Sequence, residues 1–393
     1  MKKFLIASLL FVGVFVWTNA QDGYTFTTVK ELKITPIHNQ NRTGTCWSFS
    51  GVALIESELL RLGKGEYDLS EMFIVNHSYR DKAIKHVRLH GTSEFAEGGS
   101  FADVLYAFKH YGAIPREFYT GLQYDEDMHV HGEMVRAATG FVKSIITNPN
   151  GKLSPVWPKA FQGIIDAYLG EIPATFQYKG KQYTPKSFGE SLGLNMDDYV
   201  SFTSFTHQPF YSSFALEIPD NWRWALSYNL PLNELMQVFE NAIDKGFTVA
   251  WGSDVSEVGF TRDGVATVPD VESLETSGSD MERWVGLSRA ERDAEIRKLA
   301  LQPCMEVEVT QELRQKGYDN FQTTDDHGML IYGIAKDQTG KKFYMVKNSW
   351  GTNSKYNGIW YVSEAFLAYK TINIVVHKDA VPAAIKTKLV SLR

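Results

Sequence analysis

One cysteine stands where a helical pattern begins, and this position constrains the fold more than any other feature of the chain. Cys46 is one of only two cysteines among 393 residues. From it, apolar residues recur at spacings of three and four along CWSFSGVALIESELLRL, which predicts a helix over 46–62. A helix N-terminus lowers the pKa of a thiol and favours the reactive thiolate. The position therefore indicates a nucleophilic cysteine.

The second cysteine, Cys304, leaves a structural alternative open. A disulfide between Cys46 and Cys304 would suit a protein that works in an oxidising compartment. Their separation in sequence neither favours nor excludes such a bond. We prefer a free Cys46 that acts as a reagent, with Cys304 as a small buried apolar side chain.

The first twenty residues have the pattern of a secretory signal peptide. A basic start, MKK, precedes the apolar run FLIASLLFVGVFVW, and TNA ends in a small residue suited to cleavage. The run is short and wrongly flanked for a membrane span, although an uncleaved anchor and a buried helix are alternatives. We therefore expect residues 1–20 to be removed, the mature chain to begin near Gln21, and the protein to be exported to the periplasm or the medium.

Composition excludes some classes of partner. The formal net charge is -6, and hydrophobic and charged residues make up 44% and 22% of the chain, as in ordinary globular proteins. An acidic chain is poorly suited to nucleic acid as its main partner. No later segment is long and apolar enough to span a bilayer, so we expect no stable membrane insertion after the signal is removed.

Helical patterns precede a strand-rich last third. Further helices are predicted over 69–86, 98–112, 154–170, 231–246 and 277–302, and FTVAWGSDV reads as a buried strand. Near the C-terminus, the β-rich runs 328–335 and 341–348 flank KDQTG, which predicts a hairpin. With a loop at 336–339, the register would pair His327 directly with Asn348 at the open end of the hairpin.

These residues supply the parts that a thiol needs for acyl transfer. His327 would accept the thiol proton, and the neutral amide of Asn348 would orient the imidazole without burying a charge. The side chain of Gln40 and the backbone N–H of Cys46 would stabilise the oxyanion. Each residue alone has an ordinary structural explanation. The fixed order Gln-x5-Cys-Trp, His-Gly and Asn-Ser-Trp-Gly is much more specific.

The three segments that carry these residues resemble the active-site blocks of papain-like cysteine peptidases. They are QNRTGTCWSFS (40–50), DDHGMLIYGIA (325–335) and VKNSWG (346–351). The resemblance implies four catalytic roles: nucleophile for Cys46, acid and base for His327, orienting residue for Asn348 and oxyanion donor for Gln40.

Two further features of that family match this chain. Trp350 corresponds to the tryptophan that shields the bond between His327 and Asn348 from water. In EGGSF (97–101), Gly98 and Gly99 stand where the family binds an extended substrate through backbone hydrogen bonds. A plain loop before the helix at Ser100 is the alternative for the glycines.

A narrower resemblance is carried by LSEMFIVNHSYRDKA, AIDKGFTVAWGSDV and DNFQTTDDHGMLIYGIAKD, which are similar to the bleomycin hydrolase and aminopeptidase C branch. This branch implies an α+β papain-like fold, with a helical left part that carries the nucleophile and an antiparallel, barrel-like right part. It implies one peptidase domain over 21–393 with a large, mainly helical insertion at about 120–300. It also implies peptide substrates, no cofactor, and often hexamers whose active sites face an internal cavity.

The chain departs from that branch in two ways. Members are usually cytoplasmic, whereas this chain carries an export signal. Their C-terminal carboxylate usually holds the free amine of the substrate, whereas the tail here, 378–393, is basic and ends differently. We expect a cysteine peptidase that acts as an aminopeptidase through a thioester on Cys46. A papain-like endopeptidase is the main alternative, and a non-catalytic peptide-binding protein is a weaker one.

Two weaker patterns remain. His129, His131 and Glu133 in HVHGE could hold a metal, but no HExxH accompanies them, and we expect a solvated loop and no metal site. Asp325 and Asp326 precede His327. A turn-favouring acidic pair is the plainer interpretation, although Asp326 could tune the charge of the histidine.

Overall fold

A computed structural model describes residues 23–271 and 287–389. The predicted signal peptide, 1–20, and the first part of the predicted helix 277–302 lie outside these residues. The helices are α1 Cys46–Arg61, α2 Glu71–Arg88, α3 Phe101–Tyr111, α4 Gly132–Ile146, α5 Trp157–Leu169, α6 Pro185–Ser191, α7 Leu232–Asp244, α8 Arg289–Ala300, α9 Gln311–Asp319, α10 Glu364–Lys370 and α11 Ala383–Lys386.

The strands are concentrated in the second half of the chain. They are β1 Phe26–Glu31, β2 Phe176–Tyr178, β3 Lys181–Tyr183, β4 Tyr199–Thr203, β5 Ser213–Ala215, β6 Leu226–Asn229, β7 Val249–Ser253, β8 Val265–Ala266, β9 His327–Asp337, β10 Lys342–Lys347, β11 Ile359–Ser363 and β12 Thr371–His377. The helices predicted over 46–62, 69–86, 98–112, 154–170 and 231–246 and the hairpin are present, with ends that shift by a few residues. Of the helix predicted over 277–302, the described part is helical from Arg289 to Ala300.

Helix α1 lies between helices α2 and α3 on one side and the main sheet on the other, so it is buried all round. Every residue from Trp47 to Leu59 is buried, including several polar ones. Those polar groups have partners: the Ser48 hydroxyl donates to the carbonyl of Glu71 at 2.8 Å, and the Glu56 carboxylate accepts from the backbone of Leu69 at 2.8 Å. The helix that presents Cys46 is therefore held rigidly.

The neighbouring helices begin where the sequence predicts. Ser70 caps α2 by accepting from the backbone N–H of Phe73 at 3.1 Å. Ser100 and Asp103 form a capping box at the start of α3, and Gly112 follows its last residue with a φ of 93°. A positive φ favours glycine, which explains the stop.

The main sheet has the order β5-β6-β4-β12-β7-β9-β10-β11-β8, and β1 also pairs with β9. The segment between about 120 and 300 contributes helices α4 to α8 and also strands β4 to β8 of this sheet. Strand β7 pairs with β9, the strand that begins at His327. The segment thus builds part of the scaffold beneath the histidine.

Alternate residues of the central strands face opposite sides of the sheet. Ala250 and Leu330 pack with Leu54 of α1. Their neighbours Trp251 and Met329 belong instead to the core that contains α7. Helices α1 and α7 therefore cover opposite faces of the sheet.

The register of the hairpin differs from the prediction. Tyr344 pairs with Ile334, and the register shifts between Met345 and Val346, so the direct pairing of His327 with Asn348 is wrong. Strand β9 extends to Asp337, whose carboxylate accepts from the backbone of Thr339 and Lys341, both at 2.9 Å. These two hydrogen bonds hold the turn after Asp337, nearer the C-terminus than the predicted loop at 336–339.

Both cysteines are free, which excludes the disulfide between them. Cys304 is partly exposed, so its predicted burial is incomplete. Within residues 23–271 and 287–389, no helix is long and apolar enough to cross a membrane.

Candidate active site

Cys46 and His327 line one small cavity between α1 and the start of β9. Its volume is about 20 Å³, which is about the space that one water molecule needs. The thiol comes from the first residue of α1, whose leading N–H groups have no partner within the helix. Cys46 and His327 thus lie together in one small, partly open site.

The ring of His327 is fixed by Asn348. Nε2 donates to Oδ1 of Asn348 at 2.7 Å, and the same oxygen accepts from the backbone N–H of Ser349 at 2.7 Å. Because only the amide oxygen can accept from that N–H, the orientation of Asn348 is settled. In neutral His327 the proton therefore lies on Nε2, and Nδ1 is free to act as a base. The predicted proximity holds although the register does not.

Trp350 covers this pair. Its ring centroid lies 4.8 Å from that of His327. Behind it, Trp350 packs edge-on against Trp360 at 5.4 Å and against Phe260 at 6.0 Å. The contact required for the predicted shielding of the hydrogen bond is therefore present.

Burial holds both reacting groups in their neutral forms. It raises the pKa of the Cys46 thiol to about 12, and the charges of Asp220 and Asp325 add to the rise, while the backbone N–H groups of Gly328 and Trp47 oppose it. Burial also lowers the pKa of His327 to about 4, although the hydrogen bond that His327 donates to Asn348 acts in the opposite direction. Burial thus favours the neutral thiol and the neutral imidazole while the site is empty.

Gln40 is buried beside the catalytic residues. Its Nε2 donates to the carbonyl of Thr43 at 2.7 Å, and its Oε1 accepts from the hydroxyl of Ser349 at 2.5 Å. Since Nε2 carries two hydrogens, one donor remains for an oxyanion. Ser349, which sequence reasoning passed over, links Gln40 to Asn348 through its hydroxyl and its backbone.

The two predicted glycines lie at the rim of the cavity. Gly99 lines it, and a side chain there would come within 2.8 Å of the indole of Trp47. Any side chain at Gly98 would overlap the carboxylate of Asp220, and the carbonyl of Gly98 already accepts from Lys82. Glycine is thus required at both positions, and at Gly98 the reason is Asp220.

Asp220 is the site residue that the sequence did not reveal. It lines the cavity together with Asp325 and Asp326. It follows Ile218 in a loop that joins β5 to β6, where no motif or periodicity marks it. The acidic pair before His327, interpreted as a turn, is likewise part of the cavity wall.

The prediction of a solvated loop at HVHGE is wrong. His129 and His131 are 2% and 0% exposed, and burial lowers their pKa values to about 4 and about 3. The backbone explains this, because Arg42 donates to the carbonyl of His129 at 3.0 Å and accepts from His131 at 3.2 Å. Among the described residues, no group of three His, Cys, Asp or Glu side chains could hold a metal ion.

Comparison with protein-family models gives two matches. The papain family cysteine protease model matches residues 24–123, which include Cys46, and the peptidase C1-like family model matches residues 275–391, which include His327 and Asn348. Between them the matches cover all three segments on which the catalytic prediction depends.

Similar proteins extend the likeness to most of the chain. Aminopeptidase C of Streptococcus thermophilus is 22% identical, over 88% of this chain and 81% of its own. Cysteine proteinase 1, mitochondrial, of Saccharomyces cerevisiae is 21% identical, over 94% of this chain and 80% of its own. The crystal structure of PepW from Lactobacillus rhamnosis superposes with a TM-score of 0.66 at 17% identity, over 92% of this chain and 84% of that one, which shows the same fold.

Proposed function

We propose that this chain, which belongs to the papain-like cysteine peptidases, is an aminopeptidase of the bleomycin hydrolase type that cleaves peptides through a thioester on Cys46. The observation that carries the catalytic part is the single cavity in which Cys46 meets His327, with the imidazole held by Asn348 at 2.7 Å. The similar proteins named aminopeptidase C support the same assignment.

The reaction follows from these positions. His327 Nδ1 takes the proton of Cys46, and the thiolate attacks the peptide carbonyl to form a tetrahedral oxyanion, which Gln40 and the backbone N–H of Cys46 stabilise. The imidazolium then protonates the departing amine, and a thioester remains on Cys46. Water, deprotonated by His327, hydrolyses the thioester and restores the thiol.

The residues that line the cavity favour an aminopeptidase over an endopeptidase. The free amine at the end of a peptide is positively charged, whereas an internal peptide bond carries no charge. The acidic side chain of Asp220 lines the cavity on the side next to Gly99, where a substrate that follows the two glycines would lie.

A comparison of the two cysteines tests the catalytic assignment. We expect Cys46→Ala to lose activity by about 10⁴-fold or more, whereas the matched variant Cys304→Ala keeps it. Hydrolysis of aminoacyl anilides by the mature protein is the measurement. Full activity in Cys46→Ala would overturn the mechanism, and equal hydrolysis of substrates with free and acetylated amines would favour the endopeptidase.

We also propose that residues 1–20 export the protein. The support is the order of basic, apolar and small residues in MKKFLIASLLFVGVFVWTNA. N-terminal sequencing of protein from the cell envelope and the medium should give a start near Gln21. An intact Met1 in the cytoplasmic fraction would contradict export.

A third proposal concerns assembly. The family resemblance supports a homo-hexamer whose active sites face a shared cavity, and it indicates peptides as the ligands. Light scattering coupled to gel filtration of the mature chain should give about six times the protomer mass. A monomeric mass would exclude this arrangement.

A further inference from the structure

We propose that the carboxylate of Asp220 binds the protonated α-amino group of the substrate, and that this contact makes the cleft select the amino end of a peptide. The inference rests on the proposed function and deepens it by naming the residue that determines specificity. It assigns to the loop between β5 and β6 a role that none of the predicted site residues fills.

The position of Asp220 supports this role. Its carboxylate lies against Gly98, and it shares the cavity with Cys46 and Gly99. A substrate strand that runs along the two glycines and presents its carbonyl to Cys46 would bring its first nitrogen toward this carboxylate. Since Cys46, Gly99 and Asp220 line the same cavity, the amine and the reacting carbonyl would belong to neighbouring parts of the substrate, and we expect release of single amino acids.

The loop that carries Asp220 is firmly anchored. Arg223 donates to Asp103 of α3 at 2.6 Å and to Asp81 of α2 at 2.7 Å. Asn221 closes the loop by donating to the carbonyl of Leu216 at 3.0 Å, and Trp222 is buried. The carboxylate is therefore fixed in place before substrate arrives, which lowers the entropic cost of binding.

The carboxylate of Asp220 is available to accept hydrogen bonds from a ligand. Within residues 23–271 and 287–389 it makes no hydrogen bond, and its favourable electrostatic neighbour, Lys82, donates elsewhere, to the carbonyls of Ala96 and Gly98. A carboxylate that faces a cavity without a hydrogen bond can accept from a ligand that carries N–H groups and a positive charge.

The charge of the cavity wall points to the same ligand. Among the described residues, the wall includes three aspartates, Asp220, Asp325 and Asp326, and neither lysine nor arginine. Burial raises the pKa of Asp325, and the charges of Asp220 and Asp326 add to the rise, so a bound ammonium would offset negative charge in this wall. The C-terminal carboxylate of a peptide would be repelled instead, so the wall discriminates between the two ends of a peptide.

The test compares a free amine with a blocked one. The substrates are leucine p-nitroanilide and its N-acetyl derivative, assayed with the mature protein and with Asp220→Asn, which keeps the shape and removes the charge. We expect the ratio of kcat/KM for the free amine to kcat/KM for the acetylated substrate to fall by about 10- to 100-fold, since a change in the reactivity of Cys46 would affect both substrates alike. The control Asp326→Asn removes a charge from the same wall. It should change the ratio of kcat/KM for the free amine to kcat/KM for the acetylated substrate by less than about threefold.

Different outcomes separate this inference from the proposed function. If the unmodified protein prefers the free amine and Asp220→Asn keeps that preference, the role of Asp220 is wrong and the aminopeptidase stands. If the unmodified protein cleaves both substrates equally, both proposals fall. Circular dichroism checks that the variant folds.

A second measurement does not depend on the variant. The anilide of the corresponding α-hydroxy acid replaces the ammonium with a hydroxyl of similar size. The unmodified protein should cleave it about 10- to 100-fold less efficiently than the amino compound. Equal efficiencies would exclude recognition of the positive charge.

Discussion

The loop that carries Asp220 and the C-terminal tail differ in charge and in place, although either segment could supply a group that recognises the end of a peptide. The loop contributes an acidic side chain to the wall of the Cys46 cavity. The tail is basic, and none of its described residues, 378–389, lines that cavity. Recognition of an amine requires a negative charge at the cleft, and only the loop meets that requirement among the described residues of these two segments.

The tail has a different partner. Ile385 and Leu389 are 1% and 0% exposed in the core that contains Val238 of α7, and Lys388 donates to Glu234 of the same helix at 2.5 Å. Since α7 covers the face of the sheet opposite α1, the described tail lies away from the nucleophile. The described part of the tail thus serves as a core element of this chain.

We expect the largest effect at the pair of His327 and Asn348, which would act whether the loop or the tail recognises the amine. We expect Asn348→Ala to lower kcat about 100-fold, because His327 loses the hydrogen bond that fixes its tautomer. The fall should be equal for free and acetylated substrates, since the orientation of the base precedes recognition of the amine. Steady-state kinetics with Asn233→Ala, at an exposed asparagine of α7, provides the control. An unchanged kcat would remove Asn348 from the mechanism.

The pH dependence sharpens the assignment of Asp220. Burial raises the pKa of Asp220 to about 6, and its charge is felt by Lys82, Glu94, Asp103, Asp325 and Cys46. Below that pH the carboxylate becomes neutral and no longer attracts an ammonium. We expect kcat/KM for a free-amine substrate to fall by up to tenfold per pH unit below 6.

The acetylated substrate provides the contrast. His327, whose pKa is lowered to about 4, should protonate only under more acidic conditions, so this substrate should keep its efficiency between pH 5 and 6. In Asp220→Asn the free-amine substrate should follow the same curve. If kcat/KM of Asp220→Asn for the free-amine substrate still falls near pH 6, the fall must be assigned to another titrating group.

The tail should affect stability and leave specificity alone. Leu389→Ala removes a fully buried side chain, and we expect the free energy of unfolding to fall by about 2–5 kcal/mol. The preference for free amines should stay within about twofold of the unmodified protein. Urea unfolding measures the first quantity, and Leu153→Ala, the same change at an exposed position, should alter it by less than about 0.5 kcal/mol. A loss of preference would restore the tail as the amine-recognising segment.

The smallest effect is expected from the tail's surface charge. Lys388→Ala removes a surface ammonium that pairs with the mostly buried carboxylate of Glu234, which also accepts from the hydroxyl of Tyr211. We expect the specificity ratio to stay unchanged within error and the free energy of unfolding to fall by much less than in Leu389→Ala. A shift in the ratio would show that the tail's charge acts at the cleft.

The catalytic residues could be predicted because they lie in short segments with local patterns. Cys46 begins a helix, and His327 and Asn348 lie at the open end of a hairpin. The contact between His327 and Asn348 is therefore predicted correctly although the register of the hairpin is not. Asp220 could not be predicted. Its position depends on ion pairs from Arg223 to side chains more than 100 residues away, Asp103 and Asp81. No local period encodes such contacts.

The burial of the two histidines in HVHGE could not be predicted for a similar reason. Polar residues in a loop are usually solvated, but here Arg42, from the segment that carries the nucleophile, pairs with the backbone of His129 and His131. Pairing between distant segments decides the burial of such a loop, and sequence pattern does not report it.

The acidic cavity wall also bears on how the thiol reacts while the site is empty. Sulfenic acid and alkylated products form from the thiolate. Burial raises the pKa of the Cys46 thiol, and the charges of Asp220 and Asp325 add to the rise. We therefore expect oxidants and alkylating reagents to react slowly with Cys46 in the empty site.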